Sequence, residues 1–559
     1  MNNYRALLAI VLSMAILLVY QFFFMPPPPE STAPEPEAPV AERATAPTAA
    51  PERPRPGTTD PTGAPAPVDV SSLLAQEVEG REIVVETDLY EAVISEAGGA
   101  LRSFRLKEFR ETVDPDSPAK ELVRTDHDNG LPLRFSWGVE PHQADLLHYQ
   151  SERQGRLVVP AGREQTLTLR AQSPLGLEFI RTYTFRDSDH LLELREEVRN
   201  TGEVPLQGAP YLALTSRPFE AEDDPLKRFL FDGPVALVDG EVHEVRPRDL
   251  VEERSGRSFT GEVSWAGYHD SYFLAAIIPR EQGQATAHFS ANREETATTV
   301  LASAAEVLNP GEARSYEYMV YYGPKKLAEL NAIGYDLGRS VNFGWFDFLA
   351  RPAFYVLSFF HGMVGNYGLA IIMVTILIKI LFWPLTHKGL KSMKVMQKIQ
   401  PRMAKLREKF KDDKQRQQQE MLKLYQTYKV NPLGGCLPML LQIPVFFALY
   451  KVLLQSVELR HAPFMLWIND LSAPDRLYIG FDIPWLGGIP VLTLLMAASM
   501  FIQQKMTPIA DPMQARIMLF LPLVFFFLFL NFASGLVLYW FINNVLTIAQ
   551  QYTIYRQKD

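Results

Sequence analysis

One cation stands inside an apolar run. Lys379 lies within residues 369–385, LAIIMVTILIKILFWPL, a stretch long enough to cross about 30 Å of hydrocarbon as a helix. A charge near mid-helix costs roughly 2.5–3.5 kcal/mol on insertion scales, so it tends to face protein or water and to have a function. Two uses fit. The ammonium attracts anionic groups into a wet cavity, or it snorkels, since about 10 Å separates it from the cytoplasmic end of its span. Polar residues punctuate the same and later apolar segments: Thr375 one turn before the lysine, Gln442 beside Pro444, then Asn531, Asn543, Asn544, Gln550 and Gln551. They either hydrogen-bond between helices or line one hydrated groove with Lys379. Lys451, near the outer end of its segment, reads as a snorkelling residue.

A second cluster carries charge and sulfur. Residues 387–431 hold thirteen Lys and Arg against four Asp and Glu, while the whole chain is net −9. Met393, Met396, Ile399, Met403, Leu406 and Phe410 recur at three-and-four spacing. Met421, Leu422, Leu424 and Tyr425 supply a second face, and Asp412-Asp413 mark a turn. The pattern predicts a helical hairpin. It suits anionic lipid headgroups and equally a methionine-rich surface that handles apolar polypeptide. No interleaved aromatics mark it for nucleic acid.

Several chemistries are excluded. There is no metalloprotease HExxH, nucleophile elbow, Walker loop or dinucleotide fingerprint. Cys436 is the only cysteine, so intrachain disulfides and cysteine metal clusters are ruled out; it reads as an inert thiol. The later apolar segments contain no acidic residue, which argues against proton coupling. Neither an enzymatic role nor a cofactor is expected.

These residues need elements to hold them. Residues 1–25 read as an uncleaved membrane anchor, because no small-residue cleavage site follows the apolar run. Residues 26–75 form a disordered Pro/Ala-rich linker; 14 of the 42 prolines fall in 26–67. Residues 76–340 alternate as short strands separated by turn signals such as Gly98-Gly99 and Asn309-Pro310-Gly311, predicting an all-β sandwich that closes with a helix over 325–337. Residues 341–365 are aromatic-rich and broken by Arg351-Pro352, which suits an amphipathic helix in the outer interface. Spans are expected at 366–386, 437–456, 485–504, 516–532 and 535–552, within a core covering 366–555.

With the anchor, that makes six transmembrane helices. Alternation from a cytoplasmic N-terminus places 25–365 outside, and puts 387–435, 505–515 and the C-terminus inside. The basic segment then faces the cytoplasm, as the charge rule requires. The chain reads as a multi-domain, multi-pass membrane protein.

The motifs around these residues are long and ordered. Residues 375–386 (TILIKILFWPLT), 430–438 (VNPLGGCLP) with Gln442-Ile443-Pro444, 456–464 (SVELRHAPF), 511–514 (DPMQ) and 534–540 (SGLVLYW) with Gln550-Gln551 resemble those of the YidC membrane protein insertases, in the Gram-negative form of the YidC/Oxa/Alb family. The resemblance runs across roughly 340–555. The anchor, linker and β domain match in architecture.

The resemblance implies the bacterial inner membrane, with a periplasmic β-supersandwich, a five-helix insertase core and a cytoplasmic helical hairpin. The core holds a groove open to cytoplasm and lipid but closed toward the outside. The family's groove charge is usually arginine; Lys379 stands there, keeping charge without the bidentate fork. Groove residues implied are Lys379, Thr375, Gln442, Asn531, Tyr539 and Trp540, with Met393, Met396, Met403 and Met421 of the hairpin touching substrate. Asn531 and Ala533 replace an aromatic and a proline common in the family. Implied partners are nascent membrane proteins, the lipid bilayer, and the SecYEG and SecDF translocon components. Ribosome contact is possible, although the basic tail is short after Arg556 and Lys558. A transporter, or an envelope scaffold whose β domain binds carbohydrate, is the competing reading; an insertase core would keep activity without most of 76–323.

Overall fold

The computed structural model describes residues 80–556, apart from 115, 127–129, 139–146, 154, 175, 220–230, 429–436, 482, 484–485 and 508–511. The expected anchor, the expected linker and Cys436 lie outside the described residues.

Residues 82–324 are β-rich, as their period-two patterning requires. Leu177–Arg186 buries every second residue. It pairs antiparallel with Glu164–Gln172 on one side and Leu191–Asn200 on the other. These belong to a 13-stranded sheet, which faces a five-stranded sheet containing Glu82–Glu86, Tyr90–Ser95 and Leu101–Arg110. One hydrophobic core joins the two: Ile83, Phe104 and Leu106 from the small sheet meet Leu167, Phe179 and Tyr322 from the large one. Phe104 bridges them directly, with ring centres 4.6 Å from Tyr90 and 5.3 Å from Tyr322. Face-to-face sheets with interdigitated inner residues define a sandwich. Inside it, Arg181 and Glu196 are both fully buried. They pair across neighbouring strands, and Arg181 also donates to the carbonyls of Gly99 at 2.6 Å and Leu133 at 2.9 Å.

Nine described helices follow in chain order: α1 Pro247–Glu253, α2 Leu327–Ile333, α3 Asp347–Val364, α4 Tyr367–Lys409, α5 Lys414–Thr427, α6 Leu437–Gln455, α7 Val491–Met506, α8 Pro512–Phe529 and α9 Ser534–Arg556. Several expected boundaries move: the spans expected at 516–532 and 535–552 run over Pro512–Phe529 and Ser534–Arg556, and four further shifts have local causes. The helix expected over 325–337 is only seven residues long, because Gly334 takes φ 90° and ends it. The interfacial helix begins at Asp347, after a 3₁₀ turn at Gly344–Phe346.

The third shift is larger. No break separates the second span from the first arm of the hairpin; α4 is one helix of 43 residues carrying Pro384 and Pro401. Each proline removes one backbone donor, while the Thr386 hydroxyl donates to the Phe382 carbonyl at 3.0 Å. The fourth shift shortens the span expected at 485–504, since α7 starts at Val491. Leu477 and Ile489 exchange backbone bonds at 2.8 and 2.9 Å, an isolated bridge just before the helix. The Asp475 carboxylate then accepts from the Leu492 and Thr493 amides, satisfying donors that a helix start leaves open.

Among the described residues α4 alone is long and apolar enough to cross a membrane by itself; the apolar parts of α6, α7 and α8 are shorter. The β-rich region is packed onto the helices. A second hydrophobic core runs without a break from Trp265, Leu274 and Tyr321 of the sheet through Leu330 of α2 and Leu357 of α3 to Val374, Leu453 and Leu536 of the helical core.

Candidate functional site

Two helix starts set the depth of the site. Asn366 caps α4, accepting from the Leu369 amide at 3.0 Å while its own amide donates to the Phe464 carbonyl at 3.0 Å. The Phe464 ring lies against Gly368, where any Cβ would overlap it. Ser534 starts α9 with its hydroxyl on the Asp470 carbonyl at 2.7 Å and its amide on Ala473 at 2.8 Å. The loop 456–490 therefore pins both starts. Counting inward at 1.5 Å per residue, Lys379 lies about 18 Å along α4 and Thr547 about 20 Å along α9. They meet: Lys379 Nζ donates to Thr547 Oγ1 at 2.7 Å.

The meeting is one rung of a seam. Tyr539, Asn543, Thr547 and Gln550 follow at helical spacing on one side of α9. Gln442 of α6 donates to Asn543 Oδ1 at 2.5 Å and lies 3.4 Å from the Tyr539 hydroxyl. Gln550 Nε2 donates to Thr386 Oγ1 of α4 at 2.9 Å. Polar contacts thus join α4, α6 and α9 over about 16 Å. On the far side of α9, Asn544 donates to Ser499 of α7 at 3.1 Å.

Of the groove residues implied by the sequence, Lys379, Gln442 and Tyr539 come together. Thr375 is buried one turn above Lys379, and its hydroxyl donates to its own helix at Ile371. Trp540 faces aromatics, 4.7 Å from Phe446 and 5.0 Å from Phe529 between ring centres. Asn531 is not in the cluster. It lies before α9, is exposed, and accepts from Arg476 at 3.2 Å, because the turn preceding Ser534 carries it to the other end of the helix. Thr547 escaped notice in the sequence; its signal is the spacing of four from Asn543 and eight from Tyr539.

The methionines expected to touch substrate lie on the helix pair α4–α5. Met403 and Ile399 are buried, with Met396, Met421, Leu424 and Tyr425 packed around them. Met403, Met396 and Met421 are the hairpin's own interior, since two helices joined at Phe410–Asp413 must bury their facing stripes. Met393, half-buried, lies outside that cluster.

A further polar cluster sits where the sheet meets the helices. Lys325 Nζ donates to His269 Nδ1 at 3.0 Å and to the Asp270 carbonyl at 2.9 Å. An accepting Nδ1 requires the ring proton on Nε2, which faces Glu244 Oε1 at 3.2 Å. Burial, with Lys325 beside it, pushes His269 down to about 4. Burial also lowers Lys325, to about 8. Burial acts to raise Glu244, but His269, Lys325 and Lys451 together hold its carboxyl below the usual range. Lys451, expected to snorkel, is the smallest contributor to that lowering.

The family models and the curated relatives agree. Residues 82–356 match the family model described as the YidC periplasmic domain, and residues 359–559 that of the 60Kd inner membrane protein. The chain is 42% identical to the membrane protein insertase YidC of Syntrophobacter fumaroxidans over 491 residues, covering 84% of this chain and 86% of the relative. It is 40% identical to the protein of the same name from Syntrophus aciditrophicus over 566 residues, covering 99% of each. Among solved structures, an active YidC insertase crystal structure with its first transmembrane domain resolved aligns over 86% of this chain and 96% of that one, at 18% identity and a TM-score of 0.36.

Proposed function

The chain belongs to the YidC/Oxa/Alb family of membrane protein insertases, and we propose that its polar seam is the groove through which short membrane proteins enter the bilayer. It is a non-catalytic insertase and chaperone, a membrane protein with a periplasmic domain. The observation that carries the groove reading is the state of Lys379. Its ammonium lies deep in an apolar helix against a neutral hydroxyl, and among the described residues no carboxylate pairs with it.

An ammonium carries three donors. With one given to Thr547, two remain for the acidic segment of a substrate. Such a segment leaves the cytoplasm, exchanges its water for the rungs of the seam, and is drawn toward the lysine. Crossing only part of the hydrocarbon lowers the barrier. The apolar segment meanwhile enters lipid beside α4 and α7, where Ile380, Leu381 and Ile502 are exposed, driven by roughly 25 cal/mol per Å² of burial. A membrane potential adds about 2.3 kcal/mol per charge per 100 mV. No nucleotide or cofactor enters the scheme.

The six-span topology, with both termini and the hairpin cytoplasmic, is the arrangement this path requires. The exposed Phe348, Tyr355 and Phe359 of α3 suit the outer headgroup layer. Nascent membrane proteins are the clients, and longer ones arrive through the SecYEG and SecDF translocon.

The test is insertion of a small, acidic-tailed, single-span protein into liposomes containing only this chain, scored by protease protection of the tail. Wild type and Lys379→Arg insert. Lys379→Ala falls by about tenfold, the scale of one lost contact to a charge. Equal protection by Lys379→Ala or by Lys379→Glu removes the charge from the mechanism.

A further inference from the structure

Lys379 is a point charge on a flexible four-carbon stem, unlike the planar fork of arginine. Something must hold its position. The Thr547 hydroxyl has one proton and two lone pairs. Its proton is committed, because Oγ1 donates to the Asn543 carbonyl at 2.7 Å. The oxygen therefore meets Lys379 Nζ as an acceptor, at 2.7 Å. The turn carrying it is itself tied down, since Gln442 of α6 holds the Asn543 side chain. A chain of contacts runs from Gln442 through Asn543 and Thr547 to Lys379, crossing three helices.

We propose that Thr547 is the positioning residue of the groove charge. It fixes the ammonium of Lys379 at one depth and turns its two remaining donors toward a carboxylate-bearing segment of the substrate. This rests on the groove reading above. A carboxylate at this position would also hold the lysine, but it would neutralise the charge. A hydroxyl holds it and leaves the charge intact.

The experiment uses the full-length protein in liposomes and two substrates with the same span, one with an acidic outer tail and one with the acids replaced by Asn and Gln. The variants are Thr547→Val, which keeps shape without the oxygen, Thr547→Ser, which restores the oxygen, Lys379→Ala, and the double variant Lys379→Ala/Thr547→Val. The expected result is a loss of about tenfold for the acidic tail in Thr547→Val, from one lost hydrogen bond to a charged group. Insertion of the neutral tail changes little, Thr547→Ser behaves near wild type, and the double variant matches Lys379→Ala. Equal slowing of both tails by Thr547→Val overturns the proposal in favour of a packing role. So does failure of Thr547→Ser alongside Thr547→Val. If Lys379→Ala is weak while Thr547→Val is normal, the positioning role alone fails. If Lys379→Ala inserts the acidic tail normally, the groove reading itself fails and takes this proposal with it.

Discussion

The guanidinium of Arg460, in the loop after α6, donates to two backbone carbonyls of the β-rich region: Arg110 at 2.8 Å and Glu111 at 3.2 Å. It also lies 5.5 Å from the centre of the Phe273 ring. That ring meets Phe109 edge-on at 5.5 Å. One side chain thus fastens the loop that pins α4 and α9 to the end of a strand in the outer domain. Lysine cannot reproduce a two-pronged contact. Arg460→Lys and Arg460→Met are both expected to loosen this junction by about 2–3 kcal/mol, the scale of hydrogen bonds made by a charged group. Hydrogen exchange reads it directly: amides at 109–112 and 459–464 exchange faster, while those of Leu177–Arg186 do not. Unchanged exchange at both segments shows that the hydrophobic core holds the junction without the arginine.

The buried pair of Arg181 and Glu196 predicts an asymmetry. Removing one partner leaves a charge inside the sandwich with no compensation, which costs about 3–5 kcal/mol. Arg181→Met and Glu196→Leu are each expected to lower the urea midpoint of the outer domain markedly. The double variant should recover much of the loss, because no charge is then left buried. Additive losses mean that the bonds from Arg181 to Gly99 and Leu133 matter more than the ion pair.

The cluster at His269 sets a pH dependence. Its folded-state value is about 4, against an ordinary 6.5. As pH falls from neutral, the unfolded chain takes up this proton first, so the equilibrium shifts toward unfolding. The contribution is intact above pH 6.5 and is lost as pH falls through about 4. Glu244, held below its usual range, shifts stability in the same direction. Urea midpoints of the outer domain between pH 7.5 and 4 should therefore fall more steeply in wild type than in His269→Gln. Parallel slopes mean that His269 does not carry the effect.

Much of this architecture is legible in the sequence where one physical rule decides. Period-two alternation in Leu177–Arg186 marks a half-buried strand. The apolar run around Lys379 marks a helix long and apolar enough to cross a membrane. What stayed hidden depends on contacts distant in sequence. Its spacing from Asn543 and Tyr539 puts Thr547 on the polar side of α9, but spacing alone does not separate it from a threonine bonding only to its own helix, as Thr375 does; the difference is Lys379, 168 positions away. The sequence does not show how 76–323 meets the helices; in the structure Trp265 and Leu274 share a continuous core with α3 and α4. Deleting 76–323 would also strip the sheet from that core, so the deletion is best read beside Lys379→Ala. Methionine spacing in 387–431 marked a helical stripe without saying what it covers.

That stripe gives the last prediction. Met403 is 1% exposed between α4 and α5, so it serves the hairpin's packing. Truncating a buried methionine to alanine costs about 2–5 kcal/mol. A short helix pair with so small an interior has little else to hold it. Met403→Ala is expected to raise protease sensitivity around Phe410–Asp413 and to separate the two arms. Met403→Leu, nearly equal in volume, should be tolerated at under about 1.5 kcal/mol. Met393, outside the cluster, should tolerate alanine with no change in protease sensitivity. If the hairpin instead acts by offering soft sulfur to its clients, Met403→Leu will impair insertion without any change in cleavage. Measuring cleavage and insertion on the same variants therefore separates packing from client contact: a loss of both in Met403→Ala, with neither in Met403→Leu, assigns the residue to the fold.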